Sequence, residues 1–376
     1  MRVLFTAVPL FGHVLPLLPL ARAHRRRGDD VAFVGPPSIA GILAGEDVET
    51  PVAGIEASEM FGEVVSRTGV DPLASPIDVE TAAEMFAGVR IDLAHDATLA
   101  AARQWRPDLI VGDSCDYVGP LVAAALGVPH GQVTLGQQVR PEQLAALRPR
   151  SDARHAERGL TPRQPVFVAD ICPPALQVDR WLKPERWLPL RPEAHHAPGA
   201  AAPAPASRGA RPRALLTFGT LFGDPAVLGP LVGEVAALDV DLHVTLGPVA
   251  TADDFDVDRE RVTLEPFRPM ADLLAGTDVV ICHAGAGTTY AAIAAGIPLV
   301  VLPQSADQFA VADRAAASGA ALRLLPDEAT PDRIRAAIDT VLTDPAYAGR
   351  AAEVATQIAA MPTATEVAES IAMTLD

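Results

Sequence analysis

The feature that most restricts the fold of this chain is a strand–turn–helix–strand pattern, present at the start and begun afresh past the midpoint. Val3-Leu4-Phe5-Thr6-Ala7-Val8 is an apolar run of strand length. A turn over Pro9 to Gly12 leads into a helical stretch through about Arg27, Gly28 ends it, and Val31 to Val34 read as the next strand. Two strands joined by a helix form a βαβ unit, which requires a parallel sheet covered on both faces. Asp108-Leu109-Ile110-Val111-Gly112, a helix through Leu126, and Val128 to Val133 extend that sheet. Residues 55–90 and 135–164 are mixed in polarity and read as loops and helices over it.

Residues 191–212 hold five prolines and eight alanines with little apolar periodicity, the composition of a linker. The strand pattern then restarts at 214–218, 242–246, 278–283 and 299–303. The expected architecture is α/β, with two Rossmann-like parallel-sheet domains. Residues 1–190 form the first domain, 191–212 the linker and 213–360 the second domain. Residues 361–376 form a C-terminal helix able to pack back on the first domain.

A chain of 376 residues suits two cores better than one. Its net charge of −17 disfavours a nucleic-acid partner, which needs a basic face to displace phosphate counterions. The same charge repels any anionic ligand at long range, so a phosphorylated substrate must be held by local dipoles and donors. No apolar run is long enough to span a bilayer. Arg2 ahead of an apolar stretch has the outline of an export signal, but Gly12, His13, Pro16 and Pro19 interrupt it. Cys115, Cys172 and Cys282 cannot all pair within the chain. Reduced thiols in a cytoplasmic protein are therefore expected.

The sharpest segment is His283-Ala284-Gly285-Ala286-Gly287-Thr288-Thr289, at a strand-to-helix junction. Small residues there let the backbone approach a ligand. The first helical N–H groups lack intrahelical partners and sit at the positive end of the helix dipole, which suits a pyrophosphate. Asp307 and Gln308 follow the next strand, and ligands of open α/β sheets collect along that edge. A carboxylate beside an amide suits sugar hydroxyls. In the first half, His13 follows the first strand, and an imidazole there is a suitable general base near neutral pH. Such a base needs an orienting carboxylate. Asp113 is the first choice and Asp116 the rival. Two Asp-x-Asp sequences, Asp239-Val240-Asp241 and Asp256-Val257-Asp258, read as solvated acidic loops, and no metal site is expected.

His283 to Phe309, with Gly219-Thr220, Phe267-Arg268-Pro269 and Gly12-His13-Val14-Leu15-Pro16-Leu17, resembles the signature of family 1 glycosyltransferases, above all the bacterial enzymes that decorate antibiotics. The resemblance implies the GT-B fold, with its two Rossmann-like domains facing across a cleft. It implies that acceptors bind the first domain and nucleotide sugars the second. Phe267 would lie near the base, where the family usually has Trp, and Gly219 and Thr220 near the phosphates or nucleoside. His283, Gly285, Ala286, Gly287 and Thr288 would hold the diphosphate, and Asp307 and Gln308 the sugar. Ala284 stands where a glycine is common.

The implied reaction is inverting and metal-independent. It moves a deoxysugar or related sugar from TDP or UDP to a hydroxyl of an apolar natural product, with no cofactor beyond the donor. His13 would act as base and Asp113 would orient it. Phe61, Met85, Phe86 and the 135–160 region would contact the acceptor. An epimerase of the same fold and a non-catalytic helper of a biosynthetic pathway are the alternatives. A homodimer is left open.

Overall fold

Residues 1–73, 77–199, 210–220, 225–247 and 250–375 are described by the computed structural model. Residues 200–209 of the expected linker lie outside them. The apolar runs form two six-stranded sheets, each in its own compact unit.

The first unit comprises Met1–Cys172, Asp179–Arg191 and the stretch from Pro362 on. Its strands are β1 (Arg2–Thr6), β2 (Asp30–Val34), β3 (Leu109–Asp113), β4 (His130–Val133), β5 (Val168–Asp170) and β6 (Trp187–Pro189). All pairings are parallel, in the order β2-β1-β3-β4-β5-β6. Val3 lies opposite Val31 on one side and Leu109 on the other. Helices cover both faces, which is why Val3–Phe5 of β1, Val31–Val34 of β2 and Leu109–Val111 of β3 are continuous apolar runs instead of alternating. Leu4, Val34 and Ile110 pack with Ile91, Trp105 and Leu121 from the covering helices.

The segment 55–90 contains the helix Ala57–Thr68, the short helix Val79–Ala83 and a wide π-helical turn, Glu84–Val89. A helix follows over Arg90–Trp105. Within 135–164 lies a long helix, Pro141–Glu157. The helix Ala364–Leu375 packs against the helix Leu18–Arg26 of the same unit. Arg26 Nη2 donates to Thr365 Oγ1 at 3.3 Å, and Arg191 N donates to the Pro362 carbonyl at 2.8 Å.

The second unit comprises Pro173–Val178 and Pro192–Met361. Its strands are β7 (Arg213–Thr217), β8 (Asp241–Thr245), β9 (Val262–Glu265), β10 (Val279–Cys282), β11 (Leu299–Val301) and β12 (Ala321–Arg323), in the order β12-β11-β10-β7-β8-β9. Renumbered within the unit this is 3-2-1-4-5-6 read from the β9 edge, the dinucleotide-fold order. Leu216, Val244, Ile281 and Val300 pack with Leu228, Ile334 and Ile338.

Four strands have no counterpart in the sequence expectation: β5, β6, β9 and β12. Each has three or four residues. They are set by tertiary pairing, not by their own patterning. β5 ends in Asp170, whose carboxylate accepts from Thr134 Oγ1 (2.7 Å), Cys172 N (3.0 Å) and Trp187 Nε1 (3.0 Å). β6 carries Pro189, which an edge strand tolerates.

Two stability outcomes follow from this packing. At Gly131 in β4, an added Cβ would overlap the Phe167 ring. Gly131→Ala is expected to destabilise the fold by roughly 1–3 kcal/mol in urea titration. Gly229→Ala, on an open helix position, serves as the benign control. His130 is buried, and its imidazole is pushed down from 6.5 to about 4, mainly by loss of water and further by His155 and Arg163. Between those values the unfolded chain holds the extra proton and the folded chain resists it. Stability therefore falls as pH drops from 6.5 towards 4, by roughly 1 kcal/mol per pH unit for this group. His130→Gln should make the melting temperature fall less steeply over that window than in the wild type, with His283 and other buried histidines supplying the rest.

Candidate functional site

In a doubly wound sheet the strand order reverses at one point, and an opening forms there at the carboxyl ends of the flanking strands. In the first unit those strands are β1 and β3. His13 lies in the helical turn Phe11–Val14 after β1, and Asp113 is the last residue of β3. His13 Nδ1 lies 3.2 Å from Asp113 Oδ1, off the line of a full hydrogen bond. Asp113 is fully buried and held by two backbone donors, Val8 N to Oδ2 at 3.0 Å and Cys115 N to Oδ1 at 2.7 Å. It does not cap the following helix, whose N-cap is Tyr117. The ring of Phe86 lies 6.0 Å from that of His13.

Asp116 has a different partner. It is buried 3.4 Å from Arg90 Nη2, and Arg90 also donates to the Ala7 carbonyl at 2.8 Å. Loss of water pushes the Asp116 carboxyl up, while Arg90 pulls the other way. Beside this pair, Phe61 and Phe86 are half-buried against a cluster of Val8, Met60, Val64, Met85 and Val89. Met85 is itself inside that packing, 8% exposed, whereas Phe61 and Phe86, like Leu10, Ile55 and Ile77, keep part of their surface open.

In the second unit the reversal falls between β7 and β10. Gly219 follows β7 and His283 follows β10, and the two meet. A Cβ on Gly219 would sit 3.0 Å from His283 Cε1, and one on Gly285 would sit 2.7 Å from Nε2. The ring thus fits only because glycine occupies both positions. Phe218 lies 5.8 Å from it, centroid to centroid. Burial pushes the His283 imidazole down to about 4, against the pull of a backbone hydrogen bond at Thr217. It is therefore neutral near pH 7, with one ring nitrogen engaged at the Thr217 backbone.

The helix Ala286–Ala294 opens directly after this ring. Thr289 N makes its first intrahelical bond, to the Gly285 carbonyl at 2.9 Å. The N–H groups of Ala286, Gly287 and Thr288 come before that bond and lie at the positive end of the dipole. Ala284 has φ +65 and Ala306 has φ +55, both in the left-handed region. Each costs on the order of 1 kcal/mol relative to glycine, and each adjoins a residue singled out from the sequence, His283 and Asp307.

Asp307 is exposed at the start of the helix Gln308–Ala317 and makes no capping hydrogen bond. Gln308 is buried, and its Oε1 accepts from Gln304 N (2.8 Å) and Ser305 N (3.1 Å). Half of that amide thus holds the loop after β11. Thr220 lies in the turn after β7. Phe267 follows β9 and is 47% exposed, while Arg268 pairs with Glu265 at 2.6 Å. β9 is the sheet edge, three strands from β10, so Phe267 belongs to the far end of the carboxyl rim. The acidic pair Asp239 and Asp241 lies at the opposite, amino end of β8, with Asp239 bound to Arg211 at 2.7 Å.

Sequence reasoning passed over Arg90, Phe218 and Cys115. Arg90 follows a π-helical turn that has no sequence signature. Cys115 was legible as Asp-x-Cys, the spacing at which an Asx turn brings the backbone N–H two residues on back to the carboxylate.

The family described as erythromycin biosynthesis protein CIII-like matches through its N-terminal domain at residues 75–185 and its C-terminal domain at 230–373. The L-demethylnoviosyl transferase of Streptomyces niveus is 30% identical, covering 99% of this chain and 98% of its own. The spinosyn rhamnosyltransferase SpnG has a TM-score of 0.83 at 25% identity, over 99% of this chain and 100% of its own. The Streptomyces sp. SF2575 glycosyltransferase SsfS6, solved with thymidine diphosphate, has a TM-score of 0.83 at 25% identity over 99% of both chains. Full-length likeness on these terms, joined to two parallel sheets that each carry a histidine at the strand-order reversal, makes this chain a member of the erythromycin CIII-like, natural-product group of family 1 glycosyltransferases, with the GT-B fold.

Proposed function

We propose that this glycosyltransferase moves a sugar of the deoxyhexose class from a TDP- or UDP-sugar to a hydroxyl of an apolar, polyketide-like aglycone, by a single inverting displacement that needs no metal. The observation that carries the reading is the couple of His13 with a buried Asp113 that backbone donors hold in place. A carboxylate at Nδ1 keeps the proton there and leaves Nε2 to accept one. Nε2 takes the hydroxyl proton as the acceptor oxygen attacks the anomeric carbon. The bond from that carbon to the diphosphate breaks, and the nucleoside diphosphate leaves with the electron pair. One attack from the face opposite the leaving group inverts the centre.

Around the leaving group the reading uses the amino end of the helix Ala286–Ala294 and the neutral ring of His283. Directed N–H groups compensate the diphosphate charge that the acidic chain as a whole repels. This local compensation supports a reaction without a divalent ion. Asp307 and Gln308 are assigned to the sugar hydroxyls, Phe267, Gly219 and Thr220 to the nucleoside side, and Phe61 and Phe86 to the aglycone. The complex of SsfS6 with thymidine diphosphate favours TDP as the donor nucleotide. Among the described residues, no helix is long and apolar enough to cross a membrane. Its cysteines form no disulfide, which supports a cytoplasmic location.

His13→Ala is expected to lower kcat by roughly 10²- to 10⁴-fold with little change in donor affinity. A variant turning over at the wild-type rate would remove His13 from the base role. At a nucleotide concentration near 100 times Kd, TDP should stabilise both wild type and His13→Ala by about 2.7 kcal/mol in a thermal-shift assay. If neither TDP nor UDP moves the melting temperature, the donor assignment fails.

A further inference from the structure

We infer that His13, Asp113 and Cys115 form a capture site for a thiophilic divalent cation of the zinc class, and that its occupation silences sugar transfer. A ring nitrogen of His13, a carboxylate oxygen of Asp113 and Cys115 Sγ all lie within 4.8 Å of one another. The cluster is built by the fold. Cys115 N donates to Asp113 Oδ1 at 2.7 Å, a turn that returns residue 115 to the carboxylate, and Val8 N fixes the other oxygen at 3.0 Å. Nδ1 of His13 is buried 3.2 Å from Asp113 Oδ1, yet it makes no aligned hydrogen bond.

Imidazole, carboxylate and thiolate are the zinc donor set, and three of them leave a fourth tetrahedral position for water. Metal–ligand bonds of that class hold donor atoms roughly 3.5 Å apart, so closure needs only small side-chain shifts. Cys115 is half-buried and the His13 side chain 15% exposed, which leaves room for those shifts and a path for the ion.

The charge and proton balance sets the consequence. Cys115 loses its thiol proton to solvent, so capture strengthens as pH rises. His13 ligates through Nδ1 only as the tautomer that carries its proton on Nε2. Transfer requires the opposite tautomer, with Nε2 bare to receive the acceptor's proton. One ion thus removes the base without displacing either substrate. The silencing rests on the base role proposed above for His13; the capture site does not.

The test uses the purified full chain without a histidine tag. Cobalt(II) is added first as an optical probe. The wild type should show a thiolate-to-cobalt charge-transfer band that zinc displaces. Cys115→Ser should lose the band while keeping Cys172, Cys282 and the metal-free transfer rate. With zinc buffered against chelation by nucleotide, saturating metal should slow wild-type transfer at least tenfold and leave Cys115→Ser unchanged. No band in the wild type, or a band that survives in Cys115→Ser, overturns the site. A band that Cys115→Ser removes, with zinc-insensitive transfer in the wild type, overturns the silencing. A chain inactive on all donors fails the proposed reaction, and the cobalt spectrum still decides the site.

Discussion

A parallel sheet cannot keep adding strands on one edge when its helices must cover both faces. Where the order turns back on itself, the two flanking connections leave in opposite directions, and the carboxyl ends between them stay open. Each unit here has one such opening, between β1 and β3 in the first and between β7 and β10 in the second. The chemically useful side chains come from those strands. His13 and Asp113 follow or end one pair, and Gly219 and His283 follow the other. Backbone registry thus sets the spacing of groups more than 60 residues apart in the chain.

Each histidine lies at the strand-order reversal of its sheet, His13 after β1 and His283 after β10, but their surroundings differ. His13 stands against a buried carboxylate and keeps a partly open face. His283 is enclosed by Phe218 and two glycines, and burial keeps its ring neutral near pH 7. The strained alanines fit this picture. Left-handed backbone at Ala284 and Ala306 adjoins His283 and Asp307, although glycine would relax both positions.

β1, β2, β3, β7, β8, β10 and β11 were legible because strands covered on both faces are rich in Val, Leu and Ile, even where polar residues such as His243 interrupt them. β4 was also legible, since glycine and proline punctuate the helix before it. The three- and four-residue strands β5, β6, β9 and β12 were not, because nothing in Val168–Asp170 or Ala321–Arg323 distinguishes a paired segment from a loop. In the site, residue types could be read but not their partners. Asp113 and Asp116 were indistinguishable by spacing. A buried guanidinium 26 residues upstream, Arg90, separates them in the structure by occupying Asp116. Likewise, the sequence paired Gln308 with Asp307 as equals, whereas the fold turns one oxygen of that amide inward to hold residues 304 and 305.

The last helix has a consequence for recombining members of this family. Ala364–Leu375 lies at the end of the chain but is part of the first unit, tied there by the Arg26–Thr365 and Arg191–Pro362 contacts. A chimera cut once, in the proline-rich stretch, would join a foreign tail to the front half and leave two interlocking helices, Leu18–Arg26 and Ala364–Leu375, from different parents. A graft that keeps this helix pair from one parent needs a second crossover near Met361, so that the closing helix travels with the half it covers.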